Sequence, residues 1–304
     1  MEQFDIIIST EHKGQRIDKY LSDELEGTSR SYIQKLMEQG NITVNQKTVK
    51  SNYKLREQDQ VQIILPDPEE LNLEPENIPL SILYEDDALL VVDKPKGMVV
   101  HPAAGHYTGT LVHALLYHCK DQLSGINGVS RPGIVHRIDQ NTTGALVICK
   151  TDAAHRDLAE QLKVHSITRK YRAIVCGNVK EDEGCIHTTI GRDPKDRKKM
   201  APNVPNGKDA VTHYRVLERF GSYTYMEFQL ETGRTHQIRV HMRSIGHPIL
   251  GDDIYGPAKC PFQLEGQTLH AMVLGFIHPI TKEYMEFSAP LPEYFEKLLT
   301  KLRG

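Results

Sequence analysis

An acidic segment rich in proline divides this chain near residue 66. Residues 66–80 contain four prolines and five acidic side chains, with no glycine and no lysine or arginine. Proline without glycine favours a semi-extended spacer and is unsuited to a helix interior or a central strand. We therefore predict a first domain at 1–66, a linker at 67–80 and a second domain at 81–304. A chain of 304 residues is long enough to form two cores.

The residues before this segment carry a local excess of positive charge. Residues 28–56 include a single acidic residue, Glu38. The basic residues in the same range are Arg30, Lys35, Lys47, Lys50, Lys54 and Arg56. The net charge of −3 for the whole chain conceals this excess because the linker is acidic. The excess predicts a surface for a phosphate backbone, although a solvated charged face is what composition alone favours.

Apolar spacing in this first module predicts two helices followed by strands. The apolar residues at helical spacing are Ile17, Tyr20, Leu21, Ile33, Leu36 and Met37. Thr28 or Ser29 is the expected N-cap of the second helix, and Gly40 is its expected end. Apolar or alternating runs at 42–44 and 61–65 predict short strands.

The chain from Ile82 onward is richer in strand patterns. Runs with the apolar or alternating character of strands lie at 88–93, 146–149, 171–177 and 226–230. Helical patterns lie at 153–162 and 292–302. The predicted class is α+β or mixed α/β, in which a small helix-plus-strand domain precedes a larger sheet domain.

Several classes of protein are excluded by what the sequence lacks. No apolar run approaches the ~20 residues that cross a bilayer, and the acidic N-terminus does not match a signal peptide, so we expect a cytoplasmic protein. The five cysteines form no Cys-x-x-Cys pair, and Cys149, Cys176 and Cys185 have the apolar neighbours of buried thiols. No phosphate loop, dinucleotide fingerprint or His-Glu-x-x-His motif occurs, so no metal and no cofactor is expected.

Three short stretches concentrate side chains that can perform chemistry. The first is His-Arg-Ile-Asp at 136–139, where a surface ion pair between Arg137 and Asp139 is the simpler interpretation. The second is Arg-Lys-Tyr at 169–171, where packing is the usual role of a tyrosine at a strand start. The third is Gly-Arg-Thr-His-Gln-Ile-Arg at 233–239, a dense array of hydrogen-bond donors for a phosphate or a base edge.

In their order along the chain, these stretches resemble motifs of the RluA/RluD family of pseudouridine synthases, and the resemblance covers residues 82–292. The other matching pieces are Asp93-Lys94-Pro95-x-Gly97-Met98-x-Val100-His101-Pro102, His247-Pro-Ile-Leu-Gly-Asp252 and Tyr255-Gly256. The family usually has Lys-Asp after the catalytic aspartate, whereas this chain has Gln140-Asn141, which removes an adjacent charge pair.

The first module resembles the S-four RNA-binding domain. The matching pieces are Gly14-Gln-Arg-Ile-Asp-Lys-Tyr-Leu21, Ser29-Arg-Ser-Tyr-Ile-Gln-Lys-Leu36 and Gly40-x-Ile42-x-Val44-Asn45. Together with Val100-His101-Pro102, this module points to the synthase D type, which acts on large-subunit ribosomal RNA. The resemblance also implies that the larger domain is built on a mixed, mainly antiparallel sheet.

The resemblance implies an isomerisation that breaks the N-glycosidic bond of uridine, rotates the uracil and joins C5 to the sugar, with no cofactor. Asp139 would attack the ribose or remove a sugar proton, and Arg239 would pair with this carboxylate and orient it. Tyr171 would pack on the uracil and take the C5 proton late in the reaction. Arg137 would help to hold the RNA with its target base flipped out.

The remaining polar residues of these motifs are assigned to RNA contact and support of the site: His136, Arg234, His236 and Gln237. The basic residues expected to meet RNA in the first module are Arg30, Lys35, Lys47 and Lys50. The implied substrate is large-subunit (23S) ribosomal RNA, alone or in a pre-ribosomal particle, and the implied enzyme is a monomer. One alternative is a synthase acting on transfer RNA or another ribosomal site, and another is a non-catalytic RNA-binding factor of ribosome assembly.

Overall fold

The computed structural model describes residues 2–25, 30–65, 73–103, 106–120, 122–126, 131–196 and 199–304. The expected helix cap at Thr28 or Ser29, residues 66–72 of the acidic segment and the side chain of Lys35 lie outside the described residues. The chain divides into two units, Met1–Leu71 and Asn72–Gly304.

An antiparallel sheet of four strands and two helices form the described part of the first unit. In chain order the elements are β1 (Glu2–Ile7), α1 (Ile17–Glu24), α2 (Arg30–Glu38), β2 (Ile42–Val44), β3 (Lys47–Thr48) and β4 (Gln60–Leu65). The strand order across the sheet is β1-β4-β2-β3. The two predicted helices and the strands predicted at 42–44 and 61–65 are confirmed.

The apolar residues that predicted the two helices form one core with the sheet. Ile17 and Leu21 of α1 pack with Ile33 and Leu36 of α2, and all four are fully buried. After α2 the chain turns toward β2 at Gly40, whose φ is 77°. Glycine suits this helix end because an L side chain is strained at positive φ.

The buried carboxylate Asp18 joins α1 to α2. It accepts two hydrogen bonds from Arg16 (3.1 and 3.0 Å), two from Arg30 (3.0 and 3.1 Å) and one from Gln34 (2.7 Å). Burial alone would raise the pKa of Asp18, but these bonds together hold it at about 2. Arg30, which was expected to meet RNA, therefore also has a structural partner.

The low pKa of Asp18 predicts that the first unit loses stability in acid. The unfolded-state pKa is near 3.8, so the stabilisation is complete above that pH and is lost as the pH falls towards 2. We expect the free energy of unfolding of the first unit to fall by about 2 kcal/mol in wild type over this pH range, and we expect no such pH dependence in Asp18→Asn. Pulse proteolysis of the full chain in urea with an acid-active protease, read through peptides of the first unit, measures it. Parallel curves for both proteins would contradict this expectation.

A mainly antiparallel sheet of ten strands dominates the second unit. In chain order the elements are β5 (Ser81–Glu85), β6 (Leu89–Lys94), α3 (Leu111–Cys119), β7 (Thr143–Cys149), α4 (Asp152–Lys163), β8 (Thr168–Cys176), β9 (Glu183–Arg192), β10 (Met200–Pro202), β11 (Lys208–Arg219), β12 (Tyr223–Leu230), α5 (Gln237–Ser244), β13 (Leu269–Ile277), β14 (Tyr284–Ser288) and α6 (Glu293–Arg303). The strand order is β10-β9-β11-β12-β8-β13-β7-β6-β5, and β14 pairs with β13. The β13–β7 pair is parallel, as expected for a mixed sheet. The predicted fold class is confirmed.

The interior strand β7 is buried along its whole length because helices cover both faces of the sheet there. Val147 and Cys149 face Leu158 of α4, whereas Leu146 and Ile148 face α3. A strand that is buried on both faces is held rigidly, so the loop before β7 ends at a fixed position.

The strands and helices predicted in the second unit are confirmed within a few residues at their ends, but the prediction of three buried thiols is wrong for one of them. Cys149 is buried, Cys176 is half-buried and Cys185 is exposed. Side chains alternate along β9, so Ile186 points inward and Cys185 outward. Apolar neighbours in the sequence do not determine which face of a strand a residue occupies.

Candidate active site

Asp139 lies in the loop that precedes β7. The adjacent Ile138 is buried and packs with Tyr171 and Ile238 in the core. The Asp139 carbonyl accepts a hydrogen bond from the backbone N–H of Thr142 (3.0 Å), which closes a turn just before the strand. A buried neighbour and a closed turn fix the position of the Asp139 side chain, which is 23% exposed.

A buried lysine ties this loop to the end of β6. The Nζ of Lys94 donates to the carbonyl oxygens of Pro95 (2.8 Å), Met98 (2.8 Å) and Gln140 (2.9 Å). Burial lowers the pKa of Lys94 to about 7, and the negative charge of Asp139 opposes that shift. Three carbonyl acceptors match the three N–H donors of the ammonium form. Lys94 thus holds the residue that follows Asp139.

Two carboxylates hold the buried guanidinium of Arg239 in α5. Its Nη1 donates to Asp139 Oδ2 (2.9 Å). Its Nε and Nη2 donate to the two oxygens of Asp252 (2.7 and 2.9 Å), whose side chain has no solvent exposure. Burial alone would lower the pKa of Arg239, but the bonds to both carboxylates raise it. Asp139 is therefore paired with a fixed cation from another element, and the surface ion pair with Arg137 was the wrong interpretation.

His236 and Tyr255 border the other oxygen of Asp139. His236 Nε2 is 3.8 Å from Asp139 Oδ1, beyond hydrogen-bond distance, while its Nδ1 is 2.8 Å from the hydroxyl of Tyr255. Burial lowers the pKa of His236 although Asp139 opposes the shift, so the ring is neutral near pH ~7. Within the described part of the chain, Asp139 Oδ1 accepts no hydrogen bond and is available to a substrate.

β8 presents Arg169 and Tyr171 on one face because strand side chains alternate. Tyr171 is 9% exposed. Burial raises the pKa of Tyr171, the Arg169 charge opposes this shift, and the Asp139 charge adds to it. The phenol is therefore neutral, and its ring provides a flat apolar surface beside the carboxylate.

Two cavities meet at Asp139. The larger, of about 580 Å³, extends past Arg169 and Tyr171 to the end of α4. The smaller, of about 300 Å³, extends past His101. Arg137 and Arg239 are among the residues that line both cavities. Cavities of this size can receive a base and part of its backbone.

Two of the predicted RNA-binding residues use their polar atoms within the protein. His136 Nε2 accepts a hydrogen bond from the backbone N–H of Val147 (3.2 Å), and burial, with the charge of Arg169, lowers its pKa to about 3. Gln237 is 3% exposed and its side chain is bonded to four neighbouring groups, Thr232, Arg234, Val211 and Thr212. Both line the larger cavity, and both are suited to supporting the site.

The predicted cations differ in how accessible they are. Arg137 is exposed at the rim of both cavities, and Arg234 is half-buried in the larger one, where its Nε donates to the Asp209 carbonyl (2.8 Å). In the first unit, Lys47 and Lys50 are exposed. Lys35 lies among the side chains that the structure does not describe.

One group of described side chains has the spacing of metal ligands: Glu85, His118 and Cys119. Glu85 forms an ion pair with Lys150 (3.1 Å), which supplies positive charge without a metal. Burial raises the pKa of Cys119 to about 11, so the thiolate that a metal needs is disfavoured. None of these residues lines the cavities at Asp139.

The sequence did not identify Lys94 and Asp252 as site residues, although both lie within the matching motifs. A signal was present for each, since Lys94 ends an apolar strand and Asp252 follows the apolar pair Ile249-Leu250. Charged side chains next to buried segments are rarely fully buried without a specific partner. Their burial is the reason to assign them to the site.

Comparison with known proteins identifies the class to which this fold and cleft belong. Residues 88–244 match the family model described as RNA pseudouridylate synthase, and residues 15–61 match that of the S4 domain. A solved structure titled Human RNA Pseudouridylate Synthase Domain Containing 1 superposes with a TM-score of 0.59 at 26% identity, covering 75% of this chain and 96% of that one. Among the described residues no helix is long and apolar enough to span a membrane.

Bacterial relatives are similar in sequence to this protein along nearly the whole chain. One from Bacillus subtilis, named Uncharacterized RNA pseudouridine synthase YlyB, is 54% identical over 100% of this chain and 99% of its own length. Another, from Zymomonas mobilis, is named Ribosomal large subunit pseudouridine synthase D and is 45% identical over 98% of this chain and 96% of its own. The chain belongs to the RNA pseudouridine synthase family, carries an S4 domain, and is an isomerase that acts on RNA. The family resemblance predicted from the motifs is confirmed.

Proposed function

We propose that this isomerase converts specific uridines of large-subunit (23S) ribosomal RNA into pseudouridine, with Asp139 as its catalytic carboxylate. The observation that carries the proposal is a carboxylate held by the buried Arg239, beside Tyr171, where two cavities meet. The name of the Zymomonas mobilis relative supports the choice of ribosomal RNA. Such a substrate implies a cytoplasmic enzyme, which we expect to work as a monomer on free RNA or on a pre-ribosomal particle.

Asp139 acts on the sugar through its Oδ1 atom, because Oδ2 is occupied by Arg239. Oδ1 either attacks C1′ or removes a sugar proton, and both routes break the bond between C1′ and N1. The uracil then turns, and C5 bonds to C1′. Tyr171 packs on the ring and receives the C5 proton, and because its phenol is neutral it releases its own proton to solvent at the same time. N1, which no longer bonds to C1′, takes up a proton, so the product is an isomer of the substrate.

The target base must leave the RNA helix to reach this carboxylate. Extruding a base costs a few kcal/mol, which stacking and backbone contacts offset. Arg137 is suited to holding the extruded nucleotide because it is exposed where both cavities open. Arg234, in the wall of the larger cavity, is the second cation positioned for a phosphate.

The first unit serves as a separate docking domain in this proposal. Residues 1–66 would bind RNA, residues 67–80 would form the linker, and residues 81–304 would carry out the reaction. The match of residues 15–61 to the S4 domain supports this division of labour. The exposed ammonium groups of Lys47 and Lys50 can neutralise phosphates, which releases counterions and makes binding salt-dependent.

Reversing two of these charges is expected to weaken RNA binding and flatten its salt dependence. For Lys47→Glu with Lys50→Glu, the slope of log affinity against log salt should fall by about 1.4 to 1.8, since each phosphate contact contributes about 0.7 to 0.9. The control is Lys297→Glu with Lys301→Glu on the exposed face of α6, which changes the net charge equally. Filter binding across a salt series measures both, and equal slopes in the two variants would count against docking by the first unit.

A pseudouridine map of ribosomal and transfer RNA tests the substrate. RNA from cells with and without the gene is treated with carbodiimide and read by primer extension. Loss of sites in 23S RNA, restored by wild type but not by Asp139→Ala, is the expected result. Loss confined to transfer RNA would support the proposed reaction but show that the substrate is transfer RNA. Loss of no site in either RNA would overturn the proposed substrate and favour a binding role in ribosome assembly.

A further inference from the structure

Arg169 is a buried cation that has no opposing charge among the residues that the structure describes. Its side chain is 7% exposed and lines the larger cavity beside Tyr171. Nη2 donates to the Glu231 carbonyl oxygen (2.8 Å), whereas Nε has no hydrogen-bond partner among the described residues. No described carboxylate lies within ion-pair distance of it. A guanidinium remains charged at any pH near neutrality, so the charge of Arg169 is uncompensated.

The other buried cations near Asp139 are compensated. Lys94 is surrounded by three carbonyl oxygens, and Arg239 by two carboxylates. A buried charge without such partners is destabilising. Arg169 thus differs from Lys94 and Arg239, because its charge can still be compensated by a negative charge on a ligand.

Gly233 provides the space that Arg169 occupies. A Cβ atom at this position would lie 2.5 Å from Arg169 Nη1, so any larger residue would displace the guanidinium. The backbone of Gly233 does not have the positive φ that would itself require glycine. Close approach to Arg169 is therefore the reason for glycine here.

We propose that Arg169 is a further catalytic residue, which binds the uracil ring and stabilises the negative charge that develops on it when the glycosidic bond breaks. When C1′–N1 breaks, the electron pair stays with N1 and spreads to O2 and O4. The anion then uses C5 to bond to C1′, the C5 proton leaves to solvent, and N1 takes up a proton, so the product is an isomer of the substrate. This role rests on the proposed function of the Asp139 site.

The surroundings of Arg169 favour the base over a phosphate as its ligand. Its guanidinium shares one face of β8 with the Tyr171 ring, and the apolar Leu230 and Leu269 line the same cavity. A phosphate would meet Arg137 first, since that side chain is exposed at the rim. A cation that is buried and fixed in place stabilises a delocalised anion more than water would.

The test compares Arg169→Met with Lys170→Met, which removes a cation from the opposite face of the same strand. The RNA comes from cells that lack the gene and were grown with uracil tritiated at C5, so that every natural substrate is present unmodified. Single-turnover tritium release should fall by about 10²- to 10³-fold in Arg169→Met. RNA affinity should stay within about threefold, and Lys170→Met should retain activity to the same degree.

Substitution of 5-fluorouridine in the RNA separates charge stabilisation from packing. Fluorine withdraws electrons and stabilises the departing ring. The rate defect of Arg169→Met should therefore be about tenfold smaller for consumption of 5-fluorouridine than for reaction of uridine. An equal defect with both nucleosides would assign Arg169 to the structure of the site and overturn the proposal.

Gly233→Ala supplies a second variant that keeps the charge but displaces it. It should slow the wild-type reaction and add nothing in the Arg169→Met background, because both act through one group. Additive effects would mean that alanine only crowds the base. If wild type releases tritium and Asp139→Ala does so equally, the proposed function fails. If only Asp139→Ala is inactive while both Arg169→Met and Gly233→Ala keep full activity, the role of Arg169 fails.

Discussion

Replacing Asp139 by asparagine is expected to reduce the rate of pseudouridine formation by at least about 10⁴-fold. The amide has nearly the same shape, but it can neither form a bond to C1′ nor accept a sugar proton through the atom that replaces Oδ1. RNA affinity should remain within about threefold, because the side chain is small and the cations at the rim are unchanged. Single-turnover tritium release and filter binding on the same RNA measure the two quantities.

The matched control for this substitution is Asp253→Asn. Asp253 is 67% exposed, and one of its oxygens lies 3.8 Å from Arg239 Nη2, so the change removes a nearby charge from the same guanidinium. Its effect should be within about threefold, since exposed pairs at this distance contribute little. Folding should be nearly unaffected in both variants because Arg239 keeps Asp252. Full activity in Asp139→Ala would refute the mechanism.

Periodicity predicted part of the helices and strands, and the family resemblance supplied the mainly antiparallel sheet of the fold class. Period 3.6 located α1, α2, α4 and α6, and apolar or alternating runs located β6, β7, β8 and β12. These patterns report burial directly, because a segment that packs on a core must place apolar residues on the packed face. Cys185 shows where this reasoning fails. Its apolar neighbours suggested that it is buried, but alternation along β9 places its side chain on the exposed face.

The motifs also predicted which residues form the cleft and that Arg239 pairs with Asp139, but they did not predict the buried partners Lys94 and Asp252. Arg239 and Asp139 are 100 residues apart, and their contact depends on how α5 is placed against the loop before β7. Nothing in the local sequence distinguishes Arg239, which binds two carboxylates, from Arg169, which binds no carboxylate in the described part of the chain. Charge compensation is a property of the tertiary structure, so burial and partners had to be seen before Lys94 and Asp252 could be assigned to the site.

Asp252→Asn is expected to remove the buried carboxylate that holds Arg239 in place. The substitution leaves the buried guanidinium with one hydrogen-bonded carboxylate, Asp139, and breaks a pair in which neither side chain is exposed by more than 3%. We expect the free energy of unfolding to fall by about 3 to 5 kcal/mol. We also expect turnover to fall by about 10²-fold, because Arg239 is then free to move and the carboxylate it orients is held less firmly. Urea unfolding and single-turnover kinetics measure these effects.

A double variant separates the two roles of this pair. Arg239→Leu with Asp252→Asn removes both charges of the buried pair at once. The amide oxygen can still accept from the backbone N–H groups of Ile254 and Tyr255, so stability should recover to within about 1 to 2 kcal/mol of wild type. Turnover should stay at least about 10³-fold below wild type, because Asp139 has lost the donor that orients it and compensates its charge. Recovery of activity together with stability would show that Arg239 serves only the fold. Recovery of stability alone is the result that assigns Arg239 to the chemistry and Asp252 to its positioning.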